Sequence, residues 1–182
     1  MKIKTQELTT DLIPLKRRAF VVELLPEGME TKDPHLQIFD NHIENTGLRL
    51  RKTRRPETDE YWFHMESKRV GSEGNAYSRL ELTREEYNGF SMFRGREIRK
   101  NRYFCEDADG REWYFDMYLG PLMGLYIAML ESGIEDIDLE TLPFVVVAEV
   151  TKDEYFQGSK LVGESIDDVR AHLQGESVAA RS

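Results

Sequence analysis

The feature that most constrains this chain is a period-two alternation in which one face of several segments carries arginine or lysine and the other carries apolar side chains. Successive side chains of a strand point to opposite faces. In residues 47–53 (GLRLRKT), Arg49, Arg51 and Thr53 therefore share one face, and Leu48 and Leu50 the other. Residues 77–82 (YSRLEL) place Arg79 and Glu81 opposite Leu80 and Leu82. Residues 97–106 (EIRKNRYFCE) put Ile98, Lys100 and Arg102 on one face, with Cys105 on the other. Residues 111–119 (REWYFDMYL) set Asp116 with Tyr114 and Tyr118, opposite Phe115, Met117 and Leu119. The last two segments flank an Asp-Gly at 109–110, a strong hairpin signal. Residues 60–68 (EYWFHMESK), 143–150 (PFVVVAEV) and 18–25 (RAFVVELL) complete the strand set.

Helices punctuate the pattern. Thr83-Arg84-Glu85-Glu86 fits a capping box and predicts a helix to about Phe93. Thr151-Lys152-Asp153-Glu154 fits the same box and predicts a helix toward Leu161, and Ser165 with Asp168 predicts another toward Leu173. Residues 122–131 (LMGLYIAMLE) fit a helix or a buried strand. Many antiparallel strands with a few helices make an α+β chain.

An alternating charged face usually means a solvated face. Two features favour an enclosed one. The charged positions are mostly basic on a chain whose net charge is −9, and residues 60–68 carry bulky groups on both faces. A closed antiparallel barrel accommodates both and removes exposed sheet edges. Arginines converging on an interior imply an anionic partner, because buried like charges need pairing, and the guanidinium fork suits phosphate and carboxylate oxygens. Interior acids, Glu81, Asp116 and Glu149, fit either as partners for those arginines or as holders of a divalent metal that bridges phosphate oxygens.

The ordered series LRLR (Leu48–Arg51), EYWF, RLEL (Arg79–Leu82), IRKNRY (Ile98–Tyr103) and DGREWYFDMYLGPLMGL, with EVTKDEYFQGSKL at 149–161, resembles the CYTH domain, or triphosphate tunnel metalloenzyme family. That family includes class IV adenylyl cyclases, thiamine triphosphatases and inorganic tripolyphosphatases. The resemblance covers about residues 47–163. It implies an eight-stranded antiparallel β-barrel tunnel with flanking helices, over residues 14–174; the small and polar residues 175–182 read as a flexible tail. It implies that Arg49, Arg51, Arg79, Lys100 and Arg102 hold a triphosphate, with Lys160 on the closing helix, and Lys68 only after a two-residue slip, since the plainest register puts Glu66 there. It further implies Mg²⁺ or Mn²⁺ held by Glu81, Asp116 and Glu149, and metal-dependent triphosphate hydrolysis. A catalytically impaired polyphosphate- or nucleotide-binding module and an adenylyl cyclase are the alternatives.

The departures fall in the metal-holding half. The family's opening E-x-E-x-K strand has no matching register in PLKRRAFVVEL (Pro14–Leu24), where Arg18 fits the lysine but Pro14 and Lys16 fall on the acids. If residues 126–131 are the later E-V-E strand, Ala128 and Leu130 stand in place of its acids; if residues 146–151 are, Glu149 remains and Thr151 replaces its partner.

Several function classes drop out. An acidic chain is a poor general binder of nucleic acid, whose binding depends on phosphate neutralisation, the basic tract at 51–55 reads as a strand end, and the ligand that the resemblance implies is a small-molecule triphosphate. No run approaches the roughly 18 apolar residues of a membrane helix. The first residues lack an apolar stretch before their basic cluster, and a lone cysteine suits a reducing compartment, so a cytoplasmic location is expected. His35, His42, His64 and His172 have no metal-ligand spacing with Cys105, Trp62 and Trp113 read as packing rather than stacking platforms, and no glycine-rich phosphate loop is present.

Overall fold

The structure, a computed structural model, describes residues 13–14, 17–71, 74–93, 95–107, 109–131, 138–139 and 142–179. Ten strands form one antiparallel sheet. They are β1 (Ile13–Pro14), β2 (Arg17–Val22), β3 (Leu36–Ile43), β4 (Leu48–Arg55), β5 (Glu60–Gly71), β6 (Gly74–Leu82), β7 (Gly95–Glu106), β8 (Glu112–Tyr118), β9 (Tyr126–Glu131) and β10 (Val146–Glu149). The helices are α1 (Arg84–Phe90), α2 (Gly158–Leu161) and α3 (Ile166–Ala179). No helix among the described residues is long and apolar enough to cross a membrane.

The hydrogen-bonded order is β1-β6-β5-β4-β3-β7-β8-β9-β2-β10. The eight-stranded closed barrel is thus corrected in two respects: the sheet has ten strands, and its order ends at β1 and β10, which no ladder joins among the described residues. It nonetheless curls, since side chains from β2 and β6, near opposite ends of the order, line one cavity.

Local chemistry explains the turns. Asn45 (φ 58°) and Asp59 (φ 55°) turn β3 into β4 and β4 into β5 in the left-handed region, which short polar side chains tolerate. The Asp-Gly hairpin forms as expected. Gly110 (φ 75°) completes it, and the Asp107 carboxylate accepts from the backbone N–H groups of Asp109 and Arg111 and from the Trp113 indole. The Thr83 capping box is present, with both reciprocal hydrogen bonds. Residues 122–131 resolve into the end of a 3₁₀ turn (Gly120–Leu122) and β9.

The predicted capping box at Thr151 does not form. The Ala19 N–H donates to Thr151 Oγ1, and the hydroxyl bonds Glu149. Asp153 instead caps a 3₁₀ turn (Glu154–Phe156) by accepting from the Tyr155 N–H, and α2 follows. Ser165 does cap α3, because its hydroxyl accepts from the Asp168 N–H while Asp168 accepts from the Ser165 N–H.

The sector β8-β9-β2 is buried on both faces. Phe20, Trp113, Phe115, Ala128 and Leu130 pack outward under Phe144. Val21, Ile127 and Met129 pack inward with Phe156, Leu161 and Val169. Burying each such large side chain contributes about 1.5–3 kcal/mol. The second core carries the segment after β10 across the concave side of the sheet, and this encloses the site.

Candidate anion-binding channel

The concave face holds a cavity of about 430 Å³ lined from β2 through β9 and from the segment following β10. Arg49 and Arg51 reach it from β4, Arg79 from β6, and Lys100 and Arg102 from β7. Sequence alternation placed all five on one face, and the curl of the sheet brings them together. Six cationic side chains line the cavity, with Arg17 the sixth, against four carboxylates.

Three of those carboxylates organise the cations into two clusters. Asp40, on β3, accepts from Arg51 in a bidentate pair (Nε–Oδ1 2.6 Å, Nη2–Oδ2 2.7 Å) and from Arg49 at 3.4 Å. Glu66, on β5, accepts from Arg79 (3.0 Å) and from both Nε (3.0 Å) and Nη2 of Arg49. Asp116, on β8, accepts from Lys100 Nζ (2.6 Å) and bidentately from Arg102 (2.7 and 2.8 Å). The register is the cause: Arg49 pairs across the ladder with Glu66, Arg51 with Asp40, and Arg102 with Asp116.

The electrostatics follow from burial against pairing. Burial alone would raise Asp40, but the Arg51 and Arg49 guanidiniums outweigh it and hold the carboxyl far below the usual range. Glu66 is held down to about 2, where Arg51 and Arg49 again overcome desolvation. Asp116 is likewise held low against its burial by Arg102 and Lys100. Lys100 goes the other way: desolvation pushes it down to about 8, with Asp116 opposing and Arg102 adding to the fall. These carboxylates stay ionised, so the guanidiniums they pair with are oriented before any ligand arrives.

Two further cavities adjoin the first. One, of about 660 Å³, shares Arg49, Glu66, Gln157 and Gly158 with it and is also lined by His42 and Arg96. The other, of about 270 Å³, shares Arg51, Arg79 and Arg102 and adds Trp62, Thr53 and His64. The three cavities thus share basic lining residues along the concave face. Burial holds His42 down to about 4, so it is neutral near pH 7, and its Nε2 is buried with no hydrogen-bond partner.

The remaining sequence-expected site residues lie elsewhere. Glu81 is exposed on β6, opposite His64, and does not line the cavity. Glu149 is held by Arg18 (Nε–Oε1 3.0 Å, Nη2–Oε2 2.8 Å) and also lies outside the lining. Lys160 is exposed on α2 and off the cavity wall. Lys68 has its backbone in β5 opposite Tyr77, and its side chain lies outside the described residues. The inward residues of β2 are Arg17 and Ala19, so Arg18 is not the channel cation that the sequence register offered. On β9, Ile127 and Met129 face the cavity, while Ala128 and Leu130 pack in the outer core.

A divalent metal does not fit this donor set. Every oxygen of Asp40, Glu66 and Asp116 already accepts from an arginine or lysine. Among the described residues, no three His, Cys, Asp or Glu side chains come together as a metal site. The residues of β2 and β9 that line the cavity, Arg17, Ala19, Ile127 and Met129, include no acid.

Sequence reasoning missed Asp40, Glu66 as an arginine partner, and Arg17. The signal for Asp40 was there: in LQIFDNHI, Ile38, Asp40 and His42 alternate with Phe39 and Asn41.

No family model and no curated protein matches the sequence. Among solved structures, the chain is similar to the inorganic triphosphatase NE1496, at 21% identity and a TM-score of 0.54, over 83% of this chain and 95% of that one. A second crystal structure, of the hypothetical protein NE1496, aligns at 21% identity and a TM-score of 0.53 over 82% and 97%. The chain thus shares its fold with these structures over most of its length.

Proposed function

We propose that this protein binds a triphosphate- or polyphosphate-bearing ligand in its basic channel, without a metal held by the channel carboxylates. The observation that carries the reading is the excess of cations over carboxylates around an enclosed cavity. An ion-pair network built only for structure would balance its charges, because uncompensated buried charge is costly. An anion entering the channel supplies the missing charge, and the paired arginines are already oriented to receive its oxygens.

The fold shared with the inorganic triphosphatase NE1496 favours a second reading, phosphoanhydride hydrolysis. Metal-dependent chemistry of that kind, or of a cyclase, needs carboxylates free to hold the ion. Here the inner carboxylates are engaged by arginine and lysine, so binding is the primary reading.

Arg79 offers a test that spares the fold, since its side chain is 46% exposed while still lining the cavity. In a calorimetric titration with tripolyphosphate in EDTA, Arg79→Ala is expected to weaken binding by about 1–3 kcal/mol, the worth of a charge-assisted contact. An affinity equal to that of the unaltered protein would mean that this face serves the fold alone.

A further inference from the structure

Asp40 and His42, two residues apart on β3, share the concave face. Asp40 lines the cavity of about 430 Å³ and His42 the adjoining one of about 660 Å³. In the ladders His42 stands opposite Arg49 on β4 and Arg96 on β7. Its ring edge reaches the segment that closes over the sheet, since a Cβ on Gly158 would come within 2.9 Å of His42 Nε2. Gly158, Gln157, Arg49 and Glu66 line both cavities, so Nε2 sits where the two meet. That nitrogen is buried and has no hydrogen-bond partner among the described residues. A buried polar atom left unpaired is costly and rare in a settled core, whereas a site that awaits a ligand accounts for it.

The charges around the ring fit the same role. Burial opposes the imidazolium most; Asp40 on its own strand favours it, and Arg49 and Arg51 on β4 and Lys100 on β7 oppose it. Glu44, Glu66, Arg96 and Glu154 complete the charged lining of its cavity. With its value held down to about 4, the ring is neutral at pH 6 in the free protein.

We propose that His42 is a ligand-contacting residue of this site, whose Nε2 gains a proton from solvent as a polyphosphate binds and hydrogen-bonds a phosphate oxygen where the two cavities meet. This rests on the anion-binding reading above and adds to it a contact and a proton. An anion lying along Arg49, Arg51 and Lys100 offsets the field that keeps the ring neutral. The protonated ring donates from both nitrogens, and the phosphate oxygen is the acceptor that Nε2–H lacks.

The test is calorimetric titration of the full chain with inorganic tripolyphosphate at pH 6, in metal-free buffers of different ionisation enthalpy, which gives the protons taken up per ligand bound. Lys100, pushed down only to about 8, is charged before and after binding at that pH, and protons carried by the ligand itself are common to every variant. His42→Gln keeps an amide near the Nε2 position but cannot titrate. It is expected still to bind tripolyphosphate while taking up at least about half a proton less than the unaltered protein, the linkage of one group that changes protonation on binding. His64 is the control, because its Nδ1 is also buried without a partner and it lines the third cavity; His64→Gln is expected to leave the uptake unchanged. Imidazole ¹⁵N shifts of the unaltered protein give a reading that needs no variant: one ring that is neutral at pH 6 turns cationic when tripolyphosphate is added. Equal uptake by His42→Gln and the unaltered protein, uptake lost in His64→Gln alone, or no ring changing state would overturn the inference and leave the anion-binding reading standing. No binding of tripolyphosphate to the unaltered protein would sink both.

Discussion

At the residue scale, five of the channel cations are set by three carboxylates, of which the sequence reading offered Asp116 as an arginine partner, fitted Glu66 to a lysine position and overlooked Asp40. Arg51 is oriented by Asp40, Arg79 by Glu66, and Arg102 by Asp116. The basic residues were legible because alternation on a strand needs only local spacing. Asp40 and Glu66 were not legible as their partners, because cross-strand pairing depends on which strands become neighbours. Glu66 stood in plain view as an awkward fit to a lysine position, and only the register that sets it between Arg49 and Arg79 gives it a role. Asp40→Ala should remove the main partner of a buried arginine and cost about 3–5 kcal/mol, read as a lowered urea midpoint at unchanged slope. A loss below about 1 kcal/mol would show that Arg51 does not depend on this carboxylate. If the channel binds an anion as proposed, Lys100 should make that binding pH-dependent. Its folded-state value is pushed down to about 8, so it is charged below that pH and neutral above it. Tripolyphosphate affinity is therefore expected to be full near pH 7 and to fall as pH rises through 8 toward 9.5. A flat titration series across that range would show that Lys100 does not meet the ligand.

At the element scale, β3 is what the sequence pattern hid. LQIFDNHI has apolar groups on both faces and a single acid, so it lacks the basic alternation that marked its neighbours. It lies between β4 and β7 in the sheet and so joins the two halves of the cation wall. Its contact with β7 is tight. A Cβ on Gly95 would collide with Asn41 Oδ1 and with the His42 carbonyl oxygen, so backbone as well as side chain would have to give way. Gly95→Ala should therefore destabilise the protein by about 1–3 kcal/mol, the range for overpacking, again read by urea unfolding; an unchanged midpoint would mean that β3 and β7 can separate locally at no cost. The helix signals divided on similar grounds. The Thr83 box formed because Thr83 precedes a free turn, whereas Thr151 is engaged by Ala19 and Glu149 of the adjacent strands. A local motif yields when the sheet edge makes a rival claim on its hydroxyl.

At the scale of the whole molecule, an acidic chain of net charge −9 concentrates basic residues on the concave face of one curled sheet. Curling was foreseeable from the bulk on both faces of the strand at 60–68; ten strands with two unjoined ends were not, since the two residues of β1 leave no periodic trace and local spacing does not fix which strands become edges. The central claim is that the enclosed cations await an anion and need no metal to take it. Thermal melting with tripolyphosphate, once in EDTA and once with Mn²⁺, tests it most directly. A ligand at a hundred times its dissociation constant stabilises the fold by about 2.7 kcal/mol. The account predicts an upward shift of the melting temperature that persists in EDTA. A shift that appears only with Mn²⁺, or no shift under either condition, would contradict it.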